Sequence, residues 1–247
     1  MVKIIKKNKM FQVTDFTFVN KHKYECFTRN DTESGRTYNV KNLKLPSVTT
    51  ILSKTQSQEK QDGLQAWRER VGYKEAQRIT IEAATRGTEM HYVLENYFTN
   101  VGYLNITKKG NQARMMAHTI LHNLGDLSEV WGSEVTLHYI DNDIGWAGSS
   151  DLIGKYKQKP TIIDFKQANK PKKAEWIEDY YYQIGAYSLA HKQNYGEIAQ
   201  GLICMCTGDL VGQNFFLNTE MVEEYEQKWL ERVKLFYKNF NTSSPKV

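Results

Sequence analysis

The sequence predicts an α/β fold in which a mixed central sheet is flanked by helices and preceded by an N-terminal helical block. Three observations carry that expectation. Apolar residues recur at helical spacing between Leu64 and Leu124, and three alternating runs bounded by turn residues follow between Glu134 and Lys166. A helical pattern, two further strands and a last helix then complete the chain. The 247 residues, 40% hydrophobic and 12% aromatic, suffice for one domain with a sizeable core and exclude a disordered chain. The expected division is a β-rich leader over 1–63 and one domain over 64–247, with the helical block at 64–124.

In the leader, Tyr24 to Thr28 and Thr37 to Val40 form a candidate hairpin around Asn30-Asp31. Pro46-Ser47-Val48-Thr49 then opens a short helix, where the hydroxyls of Ser47 and Thr49 either cap it or hold a backbone phosphate. Leu64, Trp67 and Val71 share an apolar stripe that Gly72 ends. A second helix is expected over Lys74–Thr85, with Ala76, Ile79 and Ala83 inward. Arg86-Gly87-Thr88 interrupts it, and Thr88 caps a third helix with His91 in its first turn. A lone helical histidine is ordinarily structural. A fourth helix over Asn111–Leu124 places His118 and His122 one turn apart, on what reads as an exposed face.

The strands expected at Glu134–Ile140, Gly145–Gly154 and 161–166 are joined by Asp141-Asn142-Asp143 and by a polar turn closed by Pro160. In the last of them Asp164 and Lys166 are two apart and leave one face, with Ile163 and Phe165 on the other. Asp151 lies near the end of the neighbouring strand. Carboxylates among apolar β residues are costly to bury unpaired, a difficulty that a hard cation with oxygen ligands removes. Asp-x-Lys alone is too short to separate this from an ordinary ion pair. After the strands, Lys173–Gln193 is expected as one helix with Trp176, Tyr180, Ile184 and Tyr187 on a face and Gln183 one turn from Tyr187.

The net charge of +5 and the pI near 8.9 hint at a polyanionic partner, as do Lys3, Lys6, Lys7 and Lys9 and the cluster Lys170, Lys172 and Lys173. Cys26, Cys204 and Cys206 lack zinc-ribbon spacing and read as reduced thiols. No segment has the length of a membrane span or the apolar run of a signal peptide, so a cytoplasmic location and no membrane partner are expected.

Taken in order, Arg86-Gly87-Thr88-x-x-His91, Gly148-x-x-Asp151, Asp164-x-Lys166 and Gln183-x-x-x-Tyr187 resemble the PD-(D/E)XK nuclease superfamily and its RecB-type exonucleases. With the Pro46–Thr49 opening and the Trp67 region, the chain looks most like the single-strand DNA exonuclease branch, which includes mitochondrial genome-maintenance exonucleases and phage-encoded relatives. The resemblance implies a restriction-endonuclease-like αβββαβ core and metal-assisted phosphodiester hydrolysis with Mg²⁺ or Mn²⁺. It implies that Asp151, Asp164 and the Phe165 carbonyl ligate the metal, with His91 a further ligand or supporting group and Glu134 an extra candidate. Lys166 would act on the attacking water, and Gln183 and Tyr187 would orient the site. Ser47, Thr49, Trp67, Arg68, Arg86, Thr88, Lys170, Lys172 and Lys173 are the candidate nucleic-acid contacts. Single-stranded DNA is the expected substrate, with replication or recombination proteins as partners. The alternatives are a nuclease resecting duplex ends and a non-catalytic nucleic-acid-binding module. Iron–sulfur relatives in the superfamily use four cysteines, and three at this spacing do not supply them.

Overall fold

The computed structural model describes residues 15–99 and 107–240; the lysines at 3, 6, 7 and 9 and the 241–247 tail lie outside them. A six-stranded mixed sheet runs in the order β1-β5-β6-β7-β8-β9. Its strands are β1 (Thr17–Phe18), β5 (Leu127–Asp141), β6 (Ile144–Tyr156), β7 (Lys159–Ala168), β8 (Gln200–Thr207) and β9 (Gly212–Leu217). β5, β6 and β7 are antiparallel neighbours, whereas β7 pairs β8 in parallel across the crossover helix α5 (Glu178–Asn194). The tight turn between β6 and β7 places Lys157 and Gln158 at φ 48° and 62°, the left-handed pair that suits the twist of a two-residue hairpin.

Helices cover both faces. Ile153, Ile162, Ile203 and Met205 pack under α5 and α6 (Thr219–Phe240), with Trp146 and Trp229 fully buried between them. Leu152, Ile163, Phe165, Leu202 and both Cys204 and Cys206 face the other way, onto α3 (Tyr73–Thr99) and α4 (Lys108–His122). Alternation along β7 therefore puts Asp164 and Lys166 on the α5 side with Ile162, as the two-residue period requires.

A three-stranded sheet of β2 (Thr28–Thr32), β3 (Gly35–Val40) and β4 (Leu43–Pro46) lies against β6, sharing a small core of Tyr38, Val40, Leu45 and Ala147. Its first turn is Glu33-Ser34 rather than Asn30-Asp31, because Thr32 pairs Gly35 and Gly35 takes φ 126°, a conformation other residues avoid. Ser47 caps α1 (Val48–Lys54), its hydroxyl accepting from the Thr50 N–H, so of its two readings capping describes what that side chain does here.

Three helical expectations change. α2 (Gln58–Val71) begins six residues before Leu64, capped by Ser57, and buries no residue at all; Leu64 is 42% exposed, so its apolar stripe is not a core face. Arg86-Gly87-Thr88 does not interrupt anything: α3 continues for 27 residues and His91 sits well inside it. A mid-helix glycine is tolerated at a cost of about 1 kcal/mol. Here it allows close approach to β7, since a Cβ on Gly87 would lie 3.1 Å from Gln167 Cγ. Finally, residues 174–176 form a 3₁₀ turn before α5, which leaves Trp176 60% exposed rather than inward.

Candidate functional site

The ladder between β6 and β7 stops at the pair Leu152–Ile163. Beyond it, β6 stays with β5, through Ser150–Val135, and β7 stays with β8, from Asp164–Ile203 to Ala168–Thr207. The two central strands therefore fork at Asp151 and Asp164. The Phe165 N–H, which lacks a backbone partner on β6 there, donates to Asp151 Oδ2 at 2.6 Å. A cleft of about 610 Å³ opens at the fork.

Strands and helices from both layers aim side chains into it. β6 and β7 bring Asp151, Asp164 and Lys166, α3 brings Thr88, His91 and Glu95, and α5 brings Gln183 and Tyr187. β5 supplies Glu134, whose φ of 51° breaks the regular strand opposite Asp151. Gly148 makes room for the ring of Tyr187: a Cβ there would lie 2.8 Å from Tyr187 Cε1. That contact explains the glycine three residues before Asp151.

His91, Glu134 and Asp151 offer ligand atoms that all lie within 4.8 Å of one another. One imidazole nitrogen with two carboxylates is a donor set that fits a divalent cation and could hold one. Asp164 lines the same cleft but is paired with Lys166. Its Oδ2 lies 2.5 Å from Lys166 Nζ, and it is not part of the three-residue cluster. His118 and His122 are exposed on α4 and join no metal-capable group among the described residues.

The electrostatics follow from burial at close quarters. Burial, reinforced by the neighbouring Asp151 charge, raises the Glu134 carboxyl to about 7 despite the Ser149 hydroxyl donating to it at 2.8 Å. Burial likewise raises Asp164 to about 6, with Lys166 opposing. Asp151 goes the other way: burial disfavours its charge, but His91, with Nδ1 3.5 Å from Oδ1, and Lys166 outweigh that and lower it. Burial also works against the Lys166 charge, yet Asp164 and Asp151 hold its pKa above the ordinary lysine value. The ammonium lies 5.1 Å from the Tyr180 ring centroid.

Ser47, Thr49 and Thr88 line the cleft with the catalytic candidates. The other proposed nucleic-acid contacts do not. Arg86 is spent on bracing α3 to β7, its guanidinium donating to Gln167 Oε1 at 3.0 Å and to Asn169 Oδ1. Trp67 and Arg68 are on α2, where Arg68 borders a separate shallow groove with Tyr73 and Ile81. Lys170, Lys172 and Lys173 follow β7, with Lys173 Nζ 5.3 Å from the Trp176 ring centroid. Sequence reasoning missed Arg29, Arg36 and Tyr38, all in the cleft wall. No local spacing links them to residues a hundred positions later; two arginines flanking an Asp within one hairpin were the available signal.

The chain is 26% identical over 208 residues to mitochondrial genome maintenance exonuclease 1 of Xenopus tropicalis, an alignment covering 80% of this chain and 58% of that protein. The human protein of the same name is 27% identical over 221 residues, covering 81% of this chain and 61% of its own. The likeness is to exonucleases. The mouse protein gives 27% over 216 residues, so the chain spans about three fifths of the length of the curated relatives it matches. No family model matches. A solved structure from Eubacterium rectale overlays on 65% of this chain and 71% of its own with a TM-score of 0.43 and 13% identity.

Proposed function

We propose that this chain is a metal-dependent nuclease of the PD-(D/E)XK, RecB-type class, with a restriction-endonuclease-like core, that hydrolyses single-stranded DNA from a free end. The observation that carries the reading is the convergence, at one fork in the sheet, of a metal-capable His91–Glu134–Asp151 cluster with the Asp164–Lys166 pair. The similarity to proteins named as exonucleases supports it.

The residues assign themselves chemically. His91, Glu134 and Asp151, joined by Asp164 and the Phe165 carbonyl, would hold Mg²⁺ or Mn²⁺. Such an ion supplies a Lewis acid for the phosphoryl oxygen and lowers the pKa of bound water. Lys166, kept protonated by Asp164 and Asp151, holds its ammonium where negative charge develops on the phosphoryl group, or where the attacking water must be oriented. Gln183 and Tyr187 position the strand from α5. The proposed preference for one strand rests on α2. It runs from the α5 side, where Lys60 Nζ lies 3.0 Å from Asp179 Oδ1, to α3, whose Ala83, Ala84, Gly87 and Thr88 wall the cleft, and a duplex would have to clear both helices.

The test is end-labelled linear single-stranded DNA, its circularised form and a duplex, each with Mg²⁺ and with EDTA, beside Asp164→Ala. Linear single strands should be degraded, circles largely spared, and EDTA or the substitution should stop the reaction. Equal rates on circles would indicate an endonuclease with an open site. Binding without any metal-dependent cleavage would leave only a binding module.

A further inference from the structure

We propose that Arg29 and Arg36, on the β2–β3 hairpin, form a phosphate-holding subsite in the wall of the same cleft, apart from the metal-capable cluster. The proposal rests on the nuclease reading and names how the strand is gripped. Charge accounting points to it. The cleft is lined by four carboxylates, Glu95, Glu134, Asp151 and Asp164, and by three lysine or arginine side chains, Lys166, Arg29 and Arg36. Lys166 is committed to Asp164 at 2.5 Å. A strand bringing one negative charge per nucleotide into such a cleft needs surplus positive charge, and the hairpin supplies it, because its two arginines share the single carboxylate of Asp31.

Their arrangement suits that work. Asp31 Oδ2 accepts from Arg29 Nε at 2.7 Å, and Oδ1 accepts from Arg36 Nε at 2.8 Å. Two guanidiniums carry about ten N–H donors against roughly four acceptor positions on one carboxylate, so donors are left over. The three groups together keep a net positive charge. The backbone of Arg36 is pinned: its N–H donates to Thr50 Oγ1 at 2.8 Å, and its carbonyl accepts from the Ser47 N–H at 2.9 Å and from Thr50 Oγ1 at 2.9 Å. A hairpin tied to the capped start of α1 therefore presents the fork at a fixed place. Stability does not explain the trio, because exposed ion pairs contribute about 0–1 kcal/mol. A rigid guanidinium fork matched to phosphate oxygens does.

The experiment measures binding of a fluorescent single-stranded oligonucleotide to the whole chain in EDTA, where no cleavage occurs, over a series of salt concentrations. Arg29→Gln and Arg36→Gln should each weaken binding about five- to tenfold and make the salt dependence shallower by roughly 0.7 per lost phosphate contact. Melting curves check that both variants stay folded. Oligonucleotides with a terminal phosphate or a terminal hydroxyl identify the source. A gain from the phosphate that vanishes in the variants assigns the subsite to the strand's end, and equal binding assigns it to an internal phosphodiester. Wild-type affinity and slope in both variants would overturn the proposal while leaving the nuclease reading intact. No nucleic-acid binding by the wild-type chain would remove both.

Discussion

The two halves of α3 face different surroundings. Beyond residue 89, Met90, Leu94 and Phe98 are at most 1% exposed and lock into the core beneath β7. Before it, Tyr73 and Ile81 are 60% and 56% exposed, and only Ala76 of the first ten residues is buried. α2, which joins that outer half, buries nothing. His91 stands one residue past the changeover. The contrast teaches how the site is built: the His91, Glu134 and Asp151 group that could hold a metal sits on elements fixed by close packing, and α2 with the outer half of α3 is a helical pair held by few buried contacts. Regions of that second kind open locally at low free energy.

The largest effects should come from the fixed end. Asp151→Ala, Asp164→Ala and Lys166→Ala should each lower cleavage by roughly 10²–10³-fold or more while the chain stays folded. Any one of them cleaving within about tenfold of wild type would strip that residue of its role, since about 1.4 kcal/mol is too little for a central group.

Stability should split along α3 in the same way. Leu94→Ala empties a fully buried position and should cost about 2–5 kcal/mol in denaturant unfolding. Ile81→Ala, on the exposed half, should stay within about 0.5 kcal/mol. Comparable losses at both positions would mean the outer half is as firmly held as the inner one, and the comparison would fail.

The titration of the fork gives a smaller, signed effect. Glu134 and Asp164 have folded pKa values of about 7 and about 6, above their ordinary carboxyl values of 4.5 and 3.8. Between those limits the folded state binds more protons than the unfolded state, so in EDTA stability should rise as pH is lowered from about 8 toward 5. Divalent-metal affinity should move oppositely and fall as pH drops through 7 and 6, because bound carboxylates must first lose their protons. Calorimetric titration with Mn²⁺ and melts in EDTA check the two slopes, and Glu134→Gln should flatten both above pH 6.

Much of this was legible in the sequence, for identifiable reasons. The three central strands, α4, β8, β9 and α6 announce themselves by period, and Asp164 and Lys166 share a face because a strand allows nothing else. The departures come from contacts and local backbone geometry that the period of the sequence does not carry. Gly87 looks like a helix break until Gln167 is seen packed against it. Asp31 looks like a turn residue until its two arginine partners are in place. Trp176 has helical spacing to Tyr180, but the chain turns before the helix begins. Glu134 could be named from sequence as an extra ligand, yet its clustering with His91 and Asp151 depends on a broken strand geometry that no periodicity encodes.

Gly87 offers the finest test of the boundary between the two halves. Replacing it with alanine should favour the helix by about 1 kcal/mol from backbone entropy and propensity. The added Cβ would sit 3.1 Å from Gln167 Cγ, so that side chain must shift by a few tenths of an ångström. Gln167 is flexible but engaged, since its Oε1 accepts from Arg86 Nε at 3.0 Å. The two effects oppose each other, and the net change in stability should be within about 0.5 kcal/mol of zero. The cleft, however, is lined by Gly87, Thr88, His91 and Gln167 together, so a displaced α3 moves His91 relative to Asp151. Gly87→Ala should therefore leave the melting temperature almost unchanged while reducing cleavage several-fold, with the Mn²⁺ concentration needed for half-maximal rate increased. Full activity at unaltered metal demand would show that Gln167 yields freely, and that the seam between α3 and β7 does not set the geometry of the site.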